Sequence, residues 1–406
     1  MNIALISIDN FRSISHLDIA LGKKLTLLIG ENGSGKTSIL DAIAVGLGAV
    51  VTLVPKVSGV RMKRTDIRQN NNQQLPYTRI KIQTNEGLIW DRTGKRDLSR
   101  KTVSQIPSAV GLVNLKRFID NQIINPFNEG VTFTLPVFSY YGVSRALLEV
   151  PLRRRGFPKS HQRFEALDNA LNAVTRFKST FVWFYNKEFE EQKRQKELRS
   201  FDYKLPELEA VRKAIKSLFP DIDDPHIMLN PLRFAVKLNN EILDITQLSD
   251  GYKTLLSLVI DLSARMALAN PHLENPLHSE AIVLIDELDL HLHPEWQKRI
   301  IDDLLKVFTN TQFVVTTHSP YIIESVNNHL VRYQIRNESI EDDIINRLSP
   351  IAPDDLKAYY MTKDELIPVL DTELNLIDDK LIHPYNSITA MYEKMRDIQW
   401  EQGKDD

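Results

Sequence analysis

Near the start of the chain, the apolar residues first form two short runs and then recur at helical spacing. Residues 3–8 and 25–29 are short apolar runs, and we predict a strand for each. Apolar residues then recur three and four positions apart over residues 39–47, which predicts a helix. We expect Gly48 to end this helix, because glycine is frequent just after a helix. A strand therefore leads through a glycine-rich loop into a helix.

A similar succession of elements returns later in the chain. Residues 254–269 are apolar on most sides and predict a buried helix. The β-branched runs at 281–285 and 312–316 are typical of buried parallel strands. Just before the helix, residues 234–245 (FAVKLNNEILDI) predict a hairpin with an Asn-Asn turn. Together these elements favour an α/β fold.

Other parts of the chain are more polar. Residues 164–199 and 207–218 have helical periodicity and predict a helical insert, and residues 220–231 are expected to form the return from it. Residues 61–101 are basic and indicate a loop-rich β region. After residue 353 the chain is acidic, and its apolar residues are grouped as in amphipathic helices.

Composition limits the class of protein. The chain has 406 residues, of which 42% are hydrophobic, so it can bury a large core. The formal net charge of -2 provides no global field for nucleic acid. The absence of cysteine excludes a disulfide framework and is compatible with a reducing compartment. The sequence contains no secretory signal and no apolar run that could span a bilayer, so we expect a cytoplasmic protein without a membrane partner.

The strongest motif is GENGSGKT at residues 30–37, called the phosphate loop below. It lies between the predicted strand and helix, where glycines let backbone N–H groups face phosphates. Lys36 can reach the β and γ phosphates of ATP, and the Thr37 hydroxyl can bind Mg²⁺. The residues predicted to bind the nucleotide here are Gly30, Asn32, Gly33, Ser34, Gly35, Lys36, Thr37 and Ser38.

Two adjacent carboxylates follow the predicted strand in AIVLIDELDLHLHP, residues 281–294. Asp286 is suited to hold Mg²⁺, and Glu287 is suited to polarise the attacking water as a general base. His291 and His293 stand two residues apart, as metal ligands can. We favour a structural loop for this histidine pair, because no further ligand occurs at zinc spacing.

Two weaker motifs complete the set. In QFVVTTHSP, His318 stands just beyond a strand, where its imidazole could donate a hydrogen bond to the γ-phosphate. The segment QLSDGYK, residues 247–253, is called the signature segment below. It places Ser249 and Gly251 at the start of the buried helix, and a helix N-terminus attracts anions. Ser-Asp-Gly is also a common helix cap, so this segment alone is a weak signal.

Taken in order, these motifs resemble the ABC ATPase head of the RecF and SMC superfamily, and the sequence NFRS at 10–13 is similar too. The resemblance implies a P-loop α/β fold, Mg²⁺-dependent ATP hydrolysis and a head-to-tail homodimer, or a larger assembly built from it. Ser249 and Gly251 of one subunit would complete the phosphate site of the other. Arg12 would lie near the nucleotide.

The chain departs from the superfamily pattern at two places. Asp250 stands where the signature usually has a glycine, which puts an acidic side chain near the dimer interface. No glutamine is evident between the phosphate loop and the signature segment, and residues 139–145 (SYYGVSR) occupy its expected place. We therefore assign no residue to that role.

The resemblance suggests four segments. Residues 1–150 and 231–350 would form the two parts of the ATPase head. Residues 151–230 would form the helical insert, and residues 351–406 an acidic, helical C-terminal region.

The compact head resembles stand-alone ATPase subunits of bacterial antiphage defence systems, namely Septu and some retrons. This resemblance implies that a separately encoded HNH-type nuclease is the partner and that the chain carries no nuclease domain of its own. A RecF-like DNA-binding ATPase in repair or replication remains an alternative. A transporter subunit is a further alternative, against which the loop LDLHLHP and the insert count.

Two regions could bind partners. We expect residues after 353 to dock the partner protein, so that deletion of residues 355–406 would spare folding and ATP hydrolysis. The alternative is that their apolar face packs on the ATPase head itself. The basic excess at 61–101 and 151–204, including Arg153, Arg154 and Arg155, could bind DNA or RNA. A solvated charged surface explains the same excess equally well.

Overall fold

The computed structural model describes residues 1–145, 151, 157, 161–173, 177–338, 340–362, 365–371, 373–378, 391–392 and 394–396. Its strands are β1 (Ile3–Phe11), β2 (Ile14–Ala20), β3 (Leu25–Gly30), β4 (Gln69–Asn70), β5 (Gln73–Gln74), β6 (Tyr77–Thr84), β7 (Ile89–Lys95), β8 (Val137–Tyr141), β9 (Ile222–Leu229), β10 (Leu232–Leu238), β11 (Glu241–Asp244), β12 (Ala281–Ile285), β13 (Thr311–Thr317), β14 (Leu356–Met361) and β15 (Leu366–Pro368).

The α-helices are α1 (Lys36–Val51), α2 (Arg100–Val103), α3 (Leu112–Ile119), α4 (Asn125–Glu129), α5 (Phe177–Leu198), α6 (Pro206–Leu218), α7 (Asp250–Ala269), α8 (Pro294–Gln297), α9 (Ile300–Val307), α10 (Pro320–Gln334) and α11 (Asp343–Arg347). None of the helices within the described ranges combines the length and the apolar content needed to cross a bilayer.

A six-stranded sheet organises the fold. Its order is β15-β14-β3-β13-β12-β8, and the last five of these strands run parallel. Every residue of β3, β8, β12 and β13 is buried, as expected for strands covered on both faces. The strands predicted at 25–29, 281–285 and 312–316 are confirmed. Because parallel strands end at one edge, the segments that follow them meet there.

A second, antiparallel sheet of order β2-β1-β6-β7 packs on α1. Trp90 of β7 is fully buried, and its indole N–H donates to the carbonyl of Gly46 in α1 at 3.0 Å. This sheet confirms the strand predicted at 3–8 and the β region predicted at 61–101. It fixes one side of the helix that follows the phosphate loop.

The prediction that Gly48 ends the first helix was wrong, because α1 continues to Val51. Gly48 lies inside the helix, where a Cβ atom would stand 2.6 Å from Arg92 Nη1 and 2.9 Å from the carbonyl oxygen of Val60. Close packing therefore explains this glycine. The sequence could not distinguish the two causes, because the crowding comes from distant residues.

Helices α5 and α6 lie in the segments predicted to be helical, and the hairpin predicted at 234–245 is present in β10 and β11. Asn239 and Asn240 form its turn with φ of 50° and 67°. The return at residues 220–231 contains a strand that was not predicted, because β9 occupies most of it and pairs antiparallel with β10. The sequence Asp-Asp-Pro at 223–225 interrupts the apolar alternation and concealed this strand.

The C-terminal region differs from the predicted helical tail over residues 356–368, whereas residues 391–392 and 394–396 are helical as predicted. Residues 356–361 form β14, which pairs in parallel with β3, and β15 extends the sheet beyond it. The grouped apolar residues at 366–370 had suggested a helix. The partner of β14 is β3, which lies far away in the sequence, so no local sequence pattern indicates this pairing. The residues Leu381 and Trp400 of the predicted tail lie outside the described part of the chain.

The position of β14 contradicts the expectation that residues 355–406 can be deleted without loss of folding. We predict that this deletion lowers the melting temperature strongly or gives an insoluble chain, because β3 loses a buried neighbour. A chain ended after Asp378 keeps β14 and β15 and should melt close to the full-length protein. Circular dichroism melting curves of the two shortened chains measure the difference, and equal curves would contradict the structural role of β14.

Candidate nucleotide site

The phosphate loop, residues 30–37, turns sharply between β3 and α1. Gly33 and Gly35 have φ of 80° and 105°, which residues with side chains rarely adopt. A Cβ atom on Gly35 would also stand 2.8 Å from Met361 Cε of β14. Helix α1 begins at Lys36, and the first N–H groups of any helix lack an acceptor within it. The loop therefore presents backbone donors and the positive end of a helix dipole to an anion.

Two side chains of the phosphate loop fit a phosphate group. Lys36 Nζ donates to the carbonyl oxygens of Gly30 and Glu31 at 2.7 and 2.8 Å, so its ammonium lies over the loop. Burial lowers the pKa of Lys36, while the carboxylate of Glu287 opposes that effect. Ser34 Oγ is buried without a hydrogen-bond partner among the described residues, which is costly. A phosphate oxygen would supply the missing partner.

The Asp286 carboxylate joins three parts of the site. This buried residue directly follows β12, and its Oδ2 accepts a hydrogen bond from Thr37 Oγ1 at 2.8 Å. Its Oδ1 accepts a hydrogen bond from Thr316 Oγ1 of β13 at 2.7 Å. The two predicted magnesium ligands, Thr37 and Asp286, therefore lie in direct contact. Their hydroxyl and carboxylate oxygens are of the kind that Mg²⁺ prefers.

Glu287 occupies the turn after β12. Its φ of 48° is uncommon for a residue with a side chain, and such conformations cluster at functional sites. Its N–H donates to Thr316 Oγ1 at 2.7 Å, which holds the start of the turn. Within the described residues its carboxylate accepts no hydrogen bond. A half-buried carboxylate in this state can accept a proton from water.

His318 is held by a carboxylate that the sequence analysis did not assign. Its Nδ1 lies 3.1 Å from Asp289 Oδ2, and the buried Asp289 also accepts a hydrogen bond from Thr317 Oγ1 at 2.5 Å. A carboxylate on Nδ1 leaves Nε2 as the ring nitrogen that can meet a ligand. The half-exposed imidazole is therefore oriented at the same edge of the sheet as Asp286.

The signature segment lies at the start of α7. Ser249 is the exposed N-cap of α7, and its side chain makes no cap hydrogen bond. A Cβ atom on Gly251 would stand 2.7 Å from the carbonyl oxygen of His291, so the segment contacts the loop after Glu287. Among the described residues, no hydrogen bond or ion pair links Ser249 or Gly251 to the phosphate loop. The exposed Asp250 is paired with Lys253 at 3.0 Å.

Arg12 lies beside α1, and two carboxylates bind its guanidinium. Its guanidinium forms ion pairs with Asp41 of α1 and with Asp66, the latter at 3.1 Å. Its guanidinium also lies 5.1 Å from the centroid of the Phe11 ring. Arg12 is therefore near the helix that follows the phosphate loop, and it is bound to carboxylates there.

Four residues at this edge were not predicted from the sequence. Asp289 and Thr316 stand inside two of the motifs described above, but no role was assigned to them there. Arg145 belongs to the segment SYYGVSR, and the structure shows its guanidinium against the turn of Glu287. A place for Met361 beside the phosphate loop could not be predicted, because residues 356–361 were not recognised as the strand β14.

Both histidines of the pair His291 and His293 make local structural contacts. His293 is the N-cap of α8, where its Nδ1 accepts a hydrogen bond from the N–H of Glu295 at 3.3 Å. His291 has φ of 63° and contacts Gly251 through its carbonyl. Over the described ranges, no group of three or more His, Cys, Asp or Glu side chains could hold a metal ion.

Part of the basic excess at 61–101 is used inside the fold. Arg79 pairs with Asp91 at 2.6 Å, and Arg92 Nη1 donates to two carbonyl oxygens of the main chain. Arg96 pairs with Asp97 at 2.8 Å. The charges of these side chains are thus partly neutralised or enclosed. Arg153, Arg154 and Arg155 lie outside the described residues.

The fold and the site define a P-loop ATPase. The chain belongs to the AAA domain family, whose model matches residues 5–223. A second model, described as an AAA domain and putative AbiEii toxin of a type IV TA system, matches residues 148–324. The predicted fold class and the assignment as an ATP-binding ATPase are therefore confirmed.

Three known proteins illustrate the similarity. The chain is 28% identical to a retron Vc95 probable ATPase of Vibrio cholerae serotype O1 biovar El Tor, over 80% of this chain and 72% of that protein. It is 27% identical to the Septu protein PtuA of Bacillus mycoides (strain KBAB4), over 84% of this chain and 42% of PtuA. A crystal structure of an SmcHead bound to the C-winged helix domain of ScpA shares the fold, with a TM-score of 0.50, 16% identity and coverage of 92% and 98%. The predicted resemblance is confirmed.

The hydrogen bonds of Thr316 generate a prediction. Thr316→Val keeps the shape of the side chain but removes the donor to Asp286 and the acceptor for the Glu287 N–H. We expect ATP turnover to fall about 10- to 100-fold, as for partners that orient metal ligands. Thr26→Val is the matched control, because Thr26 is a buried threonine of β3 that accepts a hydrogen bond from Gly22. Equal turnover by the two variants would contradict the role of Thr316.

Proposed function

We propose that this ATPase hydrolyses ATP at the carboxyl edge of its six-stranded sheet. The contact between Thr37 and Asp286 carries the proposal, because it brings the phosphate loop to the end of β12. ATP would place its β and γ phosphates against the loop and Lys36. Thr37 and Asp286 would hold Mg²⁺, which when bound neutralises charge on the two phosphates.

The remaining side chains suit the hydrolytic step. Glu287 would accept a proton from the water that attacks the γ-phosphorus, and the bond to the ADP oxygen would break. His318 would donate from Nε2 to the γ-phosphate, while Asp289 keeps the ring in place. Arg12 would act less directly, because Asp41 and Asp66 already bind its guanidinium.

We further propose a head-to-tail homodimer. The exposed Ser249 makes no hydrogen bond with its own phosphate loop among the described residues, and the positive end of the α7 dipole lies at the exposed residues Ser249 and Asp250. In a dimer, Ser249 and Gly251 would meet the γ-phosphate bound by the partner subunit. Each ATP would then be enclosed by the phosphate loop of one subunit and the signature segment of the other.

We also propose that ATP binding or hydrolysis controls a separately encoded effector in antiphage defence, with an HNH-type nuclease as the expected partner. The names of the retron and Septu relatives support this role, and the match extends over most of this chain. We expect that plasmids carrying the chain with its neighbouring genes reduce phage plating, and that Lys36→Ala abolishes the protection. Equal plating with the Lys36→Ala plasmid and the unmutated one would refute an ATP-dependent defence role.

Two substitutions separate binding from hydrolysis. Lys36→Ala should abolish ATP binding, because it removes the ammonium that meets the phosphates. Glu287→Gln should preserve ATP affinity and lower turnover about 10²- to 10⁴-fold, because it removes only the general base. Equilibrium binding of a fluorescent ATP analogue and phosphate release measure both effects. Tight binding by the Lys36→Ala variant would refute the assignment of the phosphate loop.

Mixed dimers test the trans arrangement. Ser249→Arg should block hydrolysis without preventing ATP binding to a monomer, because the arginine obstructs the partner's nucleotide. A mixture with Lys36→Ala should regain turnover, since one intact composite site forms in each mixed dimer. Lys36→Ala mixed with Glu287→Gln is the control without recovery, because every site then contains one defect. Lack of recovery in the first mixture, despite verified mixed dimers, would contradict the trans site.

A further inference from the structure

Arg145 is a fully buried arginine that binds main-chain carbonyl groups. Its Nη1 donates to the carbonyl oxygen of Asp286 at 2.5 Å, and its Nη2 donates to that of Glu287 at 2.6 Å. Within the described residues, all of its side-chain hydrogen bonds go to carbonyl oxygens, and its Nε has no partner. Burial lowers the pKa of Arg145 to about 10, so the guanidinium stays charged at neutral pH. Such a group is costly to bury, and its position calls for a function.

The guanidinium and Thr316 hold opposite ends of the Glu287 residue. Thr316 Oγ1 accepts a hydrogen bond from the Glu287 N–H, while Arg145 binds the Glu287 carbonyl. Between these two bonds Glu287 adopts its left-handed conformation, which is unfavourable without such support. The direction of the Glu287 carboxylate therefore depends on where the guanidinium stands.

The main chain of Arg145 is bound to the helix that carries the signature segment. Ser257 Oγ of α7 lies within hydrogen-bond distance of two carbonyl oxygens, that of Arg145 at 2.8 Å and that of Thr254 at 3.0 Å, and the shorter contact is the one to Arg145. Ser257 is eight residues after Ser249 on the same helix, which is about two turns. A short series of hydrogen bonds thus runs from α7 through Arg145 to Glu287.

We propose that Arg145 is a positioning residue for Glu287 and that, through Ser257, it links the placement of Glu287 to the position of α7. This inference rests on the proposed function, in which Glu287 is the general base. A shift of α7 when the signature segment meets a partner's ATP moves Arg145 and brings Glu287 into line for hydrolysis. The signature segment, Arg145 and Glu287 belong to one subunit. When this signature segment meets the partner's ATP, the effect is therefore felt at the ATP bound by the same subunit as Arg145.

The test measures ATP affinity and the steady-state turnover number, kcat, of ATP hydrolysis for Arg145→Lys. A lysine keeps the charge but cannot bind both carbonyl groups, so we expect kcat to fall about 100-fold with ATP affinity within about threefold. Arg163→Lys is the matched control, because Arg163 also donates to main-chain carbonyls, those of Ala269 and Phe133. This control should keep kcat. Unchanged kcat in Arg145→Lys, or an equal loss in Arg163→Lys, would overturn the proposal.

A double-mutant cycle shows whether Arg145 acts through Glu287. In a Glu287→Gln background, Arg145→Lys should cause no further loss, because the base it positions is already absent. A full additional 100-fold loss would overturn the proposal. Glu287→Gln alone tests the proposed function separately: wild-type turnover there refutes Glu287 as the base, whereas an inactive Glu287→Gln with a fully active Arg145→Lys refutes only the positioning role.

The variant Ser257→Ala leaves Arg145 unchanged and tests its link to α7. It is a smaller change than Arg145→Lys. We expect kcat to fall about tenfold with unchanged ATP affinity, because the bond to the Arg145 carbonyl is lost. Wild-type kcat in Ser257→Ala would overturn the linkage. If Arg145→Lys does not fold, the result for Ser257→Ala decides the proposal.

Discussion

The Asp286 carboxylate is the interaction on which the rest of the site depends. One of its oxygens accepts from Thr37 of α1, and the other accepts from Thr316 of β13. These two bonds hold the phosphate loop, the end of β12 and the end of β13 in one arrangement. The carboxylate can serve this purpose because β3, β13 and β12 are adjacent and parallel, so their carboxyl ends share an edge. Loss of either hydroxyl would leave a buried carboxylate oxygen without its partner.

Local chemistry was readable from the sequence, and long-range packing was not. The phosphate loop was predictable because its glycines, Lys36 and Thr37 are consecutive and adjoin a strand and a helix. The positions of Asp286 and His318 at strand ends were predictable, because Asp286 directly follows an apolar run and His318 stands just beyond the predicted strand at 312–316. In contrast, β14 was mistaken for part of a helical tail, since its partner is β3 at the other end of the chain.

Other features depend on contacts that no sequence spacing records. Gly48 has the appearance of a helix end, and only the structure shows that Arg92 and Val60 leave no room for a side chain there. Arg145 stands where a glutamine was sought, and its role depends on carbonyl groups more than 100 positions away. The close approach of Met361 to Gly35 likewise brings β14 against the phosphate loop, so segments more than 300 positions apart shape one site.

The central claim is that ATP and its metal ion bind at the carboxyl edge of the six-stranded sheet, between the phosphate loop and Asp286. A crystal structure of the chain with a non-hydrolysable ATP analogue and Mn²⁺ in place of Mg²⁺ tests it most directly, because Mn²⁺ gives an anomalous signal. We predict one strong anomalous peak per chain in contact with Thr37 Oγ1 and beside Asp286, with the triphosphate along the phosphate loop. A nucleotide-bound Mn²⁺ peak elsewhere in the fold would contradict the account.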